Sequence, residues 1–192
     1  LEAAKQGGGA DLFFVGRIVP NKAQHDLVKL LVAYRRMYDP KARLHLIGRP
    51  GAATYYDALR RYITELGLDD AVEVRERVSG PELSAYYRCS DVLVSASEHE
   101  GFCVPILEAM HHQVPVVAYS CGAVPETMGD SGILLRSKSP GLMAAAVHRA
   151  LTDTDLRARL VAAGRRRLAG YSLERSRRLL IESLAPVTGV RP

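Results

Sequence analysis

The chain has 192 residues, of which 47% are hydrophobic and 24% charged, enough for one cored domain with an appendage. No apolar run approaches the ~18 residues of a membrane-spanning helix. The net charge of +5 comes without aromatic residues interleaved among the basic ones, which argues against a nucleic-acid partner.

Residues 1–10 read as a glycine-rich lead-in that lacks the apolar stretch of a signal peptide. Asp11 to Gly16 is a buried strand, and Gln24 to Tyr38 a helix with Leu27, Leu30, Leu31 and Tyr34 on one face. Arg43 to Gly48 is the next strand, followed by a helix from Thr54 to Leu66 that Gly67 ends. Val72 to Val74 is short and strand-like. Ser79 and Glu82 have capping-box spacing and open a helix to about Cys89.

Val92 to Ser95, Pro115 to Ala118 and Gly132 to Leu135 complete the strands. Near-continuous apolar strands alternating with helices predict an α/β fold, a Rossmann-like parallel sheet with helices on both faces. From Ser139 the pattern is helical only: Ser139–Leu151, Thr154–Ala169, and Leu173–Leu184 capped by Ser172. The expected division is 1–10 lead-in, 11–171 Rossmann-like domain, and 172–192 C-terminal helix and tail.

Cys89, Cys103 and Cys121 are odd in number and widely spaced, which favours a reducing, cytosolic setting over a disulfide framework or a zinc site. The late arginines, from Arg157 to Arg178, read as solvated helix faces, with contact to an anionic membrane surface as the alternative. His111 and His112 are adjacent and cannot share a helical face, so a metal site there has no support.

In a doubly wound sheet, ligands bind outside the carboxyl ends of the strands. The segment Glu98 to Met110 falls there. Pro105 suits the first turn of a helix, leaving the amides of Gly101, Phe102, Cys103 and Val104 as unpaired donors at its N-terminus. Glu100 lies in the loop before them and Glu108 about a turn inside the helix. Carboxylates on either side of free amides can hold hydroxyls and a phosphate together. Taken singly, glutamates near a helix start also suit the macrodipole. Gly16-Arg17 and Lys22 put two cations in the loop after the first strand, suited to a diphosphate whose charge grows as its bond breaks. Gly122 to Thr127 follows the fifth strand and either borders a sugar pocket or forms a turn into a short helix.

The ordered set of Gly-Arg…Lys, Glu-x₇-Glu with Gly-Phe, Glu-Ala-Met, Pro-Val-Val and Pro-Glu before Gly132 resembles the C-terminal, donor-binding domain of retaining GT-B glycosyltransferases, group 1 (family 4). The resemblance covers about Asp11 to Ser172. It implies transfer of a hexose from a UDP- or GDP-linked donor with retention of configuration, without a metal or other cofactor, the leaving phosphate helping to deprotonate the acceptor. Arg17 and Lys22 would hold the diphosphate, Glu108 the ribose hydroxyls, and Glu100, as catalytic residue, a hexose hydroxyl near the reacting centre. The amides of Gly101 to Val104 would contact sugar and phosphate, and the base would lie near Arg77-Val78.

Where the family has Gly, this chain has Ala23, Glu76, Cys103 and Gln113; Leu173 replaces a common Trp. The resemblance also implies a missing N-terminal domain that supplies the acceptor site, so this chain is expected to bind donor and to transfer sugar poorly alone. A peripheral position on the cytoplasmic membrane face is compatible with it. The alternatives are a non-catalytic nucleotide-sugar-binding module and a GT-B-like nucleotide-sugar epimerase or phosphorylase.

Overall fold

The computed structural model describes residues 8–188. Six parallel strands form one sheet: β1 (Asp11–Val15), β2 (Arg43–Ile47), β3 (Val72–Arg75), β4 (Val92–Ser95), β5 (Val116–Tyr119) and β6 (Gly132–Leu135). Their order across the sheet is β3-β2-β1-β4-β5-β6. The strand order therefore reverses between β1 and β4, the point at which doubly wound sheets bind ligands outside the carboxyl ends of the strands. The expected Rossmann-like class is what forms.

Strand residues alternate between two cores, as the period of two requires. Leu12, Phe14, Val92 and Val94 face one side, with α1 (Gln24–Met37), α2 (Ala53–Glu65) and α6 (Pro140–Thr152). Phe13 and Leu93 face the other, with α3 (Gly80–Cys89), α4 (Val104–His111) and α5 (Val124–Met128). Small residues on α6, among them Ala144, Ala146 and Ala150, let it lie close against α1. On the opposite face α7 (Thr154–Leu168) packs over α4.

The helix ends follow local chemistry. Ser79 and Glu82 form a reciprocal capping box on α3. Asp153 caps α7 by accepting from Leu156 N–H at 2.9 Å. Ser172 accepts from Arg175 N–H at the start of α8 (Leu173–Thr188), which continues beyond the expected Leu184. In the Gly122–Thr127 segment a turn at Gly122-Ala123 leads into the short helix α5, Val124–Met128. The fifth strand begins at Val116, not at Pro115, whose carbonyl still accepts from Leu93 N–H at 2.9 Å. The lead-in residues 1–7 and the tail beyond 188 lie outside the described residues. Among the described residues no helix is long and apolar enough to cross a membrane.

Three non-glycine residues among those described have φ in the left-handed region: Ala23 at 50°, Cys103 at 64° and Gln113 at 61°. They are three of the positions at which the resemblance expects glycine. The backbone has kept a glycine geometry while the residue has changed.

Candidate active site

The loop after β1 tightens into a 3₁₀ turn, Pro20–Lys22, because Pro20 presets φ and Ala23 closes the turn in the left-handed region. Ala23 N–H returns to Pro20 O at 3.0 Å. The turn aims Lys22 inward: its Nζ lies 2.7 Å from Glu100 Oε1, and both side chains are largely buried. Two loops far apart in sequence therefore meet as a cation and a carboxylate. Gln24, wholly buried at the start of α1, donates from Nε2 to Arg17 O at 2.9 Å and so holds the same loop. The Arg17 side chain is exposed and has no ion pair or hydrogen bond among the described residues.

Glu100 sits where the chain leaves β4 and turns into α4. Its carbonyl accepts from Ala123 N–H at 2.9 Å, and the Phe102 carbonyl accepts from Thr127 Oγ1 at 2.6 Å. The loop carbonyls are thus tied back to the α5 region. The N–H groups of Gly101, Phe102, Cys103 and Val104 have no acceptor among the described residues, as a helix N-terminus open to a ligand requires. Gly122 makes this possible, since a Cβ there would collide with the Glu100 carbonyl and its φ of 46° suits glycine.

Cys103 is buried. Burial, with Glu100 adding to it, pushes its thiol up to about 12, so no thiolate nucleophile forms near neutral pH. Phe102 and Val104 are exposed beside the free amides. Gly16 follows β1 directly and donates its N–H to Ile47 O at 2.9 Å. Val78, half-buried beyond β3, packs on the Phe13 core. Glu108 lies one turn into α4. Its Oε2 accepts from the Tyr87 hydroxyl at 2.7 Å. A trench of about 430 Å³ lined by Leu83, Ser84, Tyr87, Glu108 and Tyr171 runs beside it, within the range of ligand clefts.

Sequence reasoning missed several residues that build this site. Lys138, after β6, reaches Asp26 on α1 at 2.8 Å and Glu98 at 2.7 Å, stapling two loops to the first turn of that helix. Burial acts to raise the Asp26 carboxyl, but Lys138 and Lys29 outweigh it and hold it below the usual range. Arg167, read as part of a solvated face, donates to the carbonyls of Glu126 and, at 3.2 Å, Thr127. It anchors α5, and through it the Glu100 loop. Lys138 and Arg167 carry no local signature, because their partners are distant in sequence. Among the described residues no three His, Cys, Asp or Glu side chains gather as a metal-ligand set.

The chain is similar to known proteins in both sequence and structure. The family described as glycosyl transferases group 1 matches residues 2–167. The D-inositol 3-phosphate glycosyltransferase of Salinispora arenicola is 32% identical over 177 residues, covering 88% of this chain and 39% of that protein. The chain thus spans well under half the length of that relative. The C-terminal domain of a glycosyl transferase group 1 family protein from Francisella tularensis superposes with a TM-score of 0.73 at 26% identity, over 85% of this chain and 87% of that one. Anabaena HepE, solved in complex with UDP and glucose, superposes with a TM-score of 0.81 at 25% identity, over 96% of this chain and 51% of that one. The family match over residues 2–167 and the superposition on a solved C-terminal domain lead to one conclusion: the chain belongs to the glycosyl transferases group 1 family and is a C-terminal, Rossmann-like half of the GT-B fold.

Proposed function

We propose that this chain is the donor-binding half of a retaining glycosyltransferase that moves a hexose from a UDP- or GDP-linked donor to an acceptor. One observation carries the reading. Lys22 and Glu100 meet at 2.7 Å beside four main-chain N–H groups that have no acceptor among the described residues. Cation, carboxylate and free amides at one point suit a diphosphate joined to a polyhydroxylated ring.

In this reading Lys22 and Arg17 neutralise the diphosphate, and the amides of Gly101 to Val104 take its oxygens and those of the sugar. Glu100 accepts from a hexose hydroxyl, and Glu108 from the ribose hydroxyls. Gly16 lets the backbone approach the phosphates, and the base lies near Val78. The bond from the anomeric carbon to the phosphate breaks, and the phosphate keeps the electron pair. The acceptor hydroxyl attacks from the same face and passes its proton to the leaving phosphate oxygen. Lys22 and the amides supply the charge stabilisation, so the proposal needs no metal or other cofactor. The acceptor site belongs to an N-terminal GT-B domain outside this chain. Three unpaired cysteines fit a reducing, cytoplasmic setting; peripheral attachment to the cytoplasmic membrane face belongs to the same proposal.

A thermal-shift panel of UDP, GDP and ADP tests donor binding, because a selective ligand raises the melting temperature by mass action. Stabilisation by one of them is expected; none at millimolar concentration would overturn the reading. In the two-domain protein, Glu100→Gln is expected to lower turnover more than nucleotide affinity.

A further inference from the structure

Glu108 is held by a residue that the Glu-x₇-Glu pattern does not include. Tyr87, on α3, is 1% exposed. Its ring meets Phe13 edge-on at 4.9 Å and stacks on His112 at 5.2 Å. Packed on both sides, the ring has one place for its hydroxyl, 2.7 Å from Glu108 Oε2. The Pro105 carbonyl lies farther away, at 3.4 Å. An ionised carboxylate only accepts, so the phenol donates, and the charged acceptor takes the proton in preference to the carbonyl. Burial and Glu108 together push the Tyr87 hydroxyl well above the usual phenol range, which keeps it protonated.

The consequence is directional. Tyr87 occupies Oε2, and Glu108 Oε1 has no protein partner among the described residues. The carboxylate also borders the trench between α3 and α4. We infer that Tyr87 is a positioning residue that orients Glu108 so that its free oxygen meets the sugar hydroxyls of the nucleotide, making the Tyr87–Glu108 pair the discriminator between ribose and deoxyribose. This rests on the proposed role of Glu108. A carboxylate without the Tyr87 bond would rotate about its terminal torsion, which is broad.

The test measures affinities of the chain for UDP, GDP and ADP and for their 2′,3′-dideoxy counterparts by calorimetry, in wild type, Tyr87→Phe, Glu108→Gln and the double variant. For the nucleotide that binds, wild type is expected to favour the ribose form. Tyr87→Phe keeps the ring packing and is expected to cut that preference about tenfold through the ribose form alone, the equivalent of ~1.4 kcal/mol. Glu108→Gln should abolish the preference, and adding Tyr87→Phe to it should change nothing further. The ratio is internal to each variant, so a general loss of stability does not move it. A wild-type preference in Tyr87→Phe beside a lost one in Glu108→Gln overturns this inference and spares the role of Glu108. An unchanged preference in Glu108→Gln overturns the role of Glu108 and this inference with it.

Discussion

Lys22 Nζ and Glu100 Oε1 lie 2.7 Å apart, joining the loop after β1 to the loop after β4 across the reversal point of the sheet. Neither partner is fully exposed, so the pair is more than a screened surface contact. If Lys22 holds a diphosphate as proposed, that ligand must compete with Glu100 for the ammonium group.

That competition separates the two residues in binding experiments. Lys22→Ala is expected to weaken nucleoside diphosphate affinity by ~1–3 kcal/mol, the range for a lost charged hydrogen bond. Glu100→Gln releases Lys22 and is expected to leave that affinity unchanged or tighter. Calorimetry that finds equal losses in both variants would contradict the arrangement.

Gly122→Ala should disturb the site without touching a ligand. Its Cβ would collide with the Glu100 carbonyl, and the bond from Ala123 N–H at 2.9 Å would be lost as the loop moved. Destabilisation of ~1–3 kcal/mol is expected in chemical denaturation, with loss of the nucleotide-induced thermal shift. A variant with wild-type stability and wild-type nucleotide binding would disprove this account of the loop.

Gln113→Gly should stabilise the chain. Gln113 is held at φ 61°, a conformation that strains an L-residue by ~1–2 kcal/mol. Glycine returns ~0.5–1 kcal/mol of that through its unfolded-state entropy. The exposed bond from Arg165 to Gln113, at 2.6 Å, contributes little. A rise of ~1–4 °C in melting temperature is expected for a domain of this size, and a fall would refute it.

Stability should also vary with pH through His45, buried on β2 between Asp11 at 2.9 Å and Glu73 at 2.8 Å. Arg43 pairs with Asp11, Arg75 pairs with Glu73, and the Tyr86 hydroxyl donates to Glu73. Burial opposes charge on His45, but the two carboxylates outweigh it and raise its pKa. A raised histidine contributes its stability fully below the unfolded value of ~6.5 and loses it as pH climbs through the folded value. Glu73 is held down at about 2, with His45 the largest cause. Its contribution is present above the unfolded value and fades as pH falls toward 2. Melting temperature should therefore decline above about pH 6.5 in wild type and more shallowly in His45→Gln; parallel profiles would exclude the linkage.

Much of this was legible in the residues themselves. Short, near-continuous apolar runs marked the six strands, and capping chemistry at Ser79 and Ser172 marked two helix starts within a residue. Pro105, near the start of α4, marked the row of amides that stands open. The glycine positions of the family survive as backbone geometry at Ala23, Cys103 and Gln113.

Other features had no local trace. The strand order, the bond from Tyr87 to Glu108, the Lys138 staple and the Arg167 anchor all join residues from separate elements. Periodicity and capping depend on neighbours a few positions away, so the chain by itself determined its elements and its chemically armed loops. Which side chains face one another depends on how the helices cross the sheet. Only the tertiary structure decided that Lys22 meets Glu100 and that Tyr87 leaves one oxygen of Glu108 open.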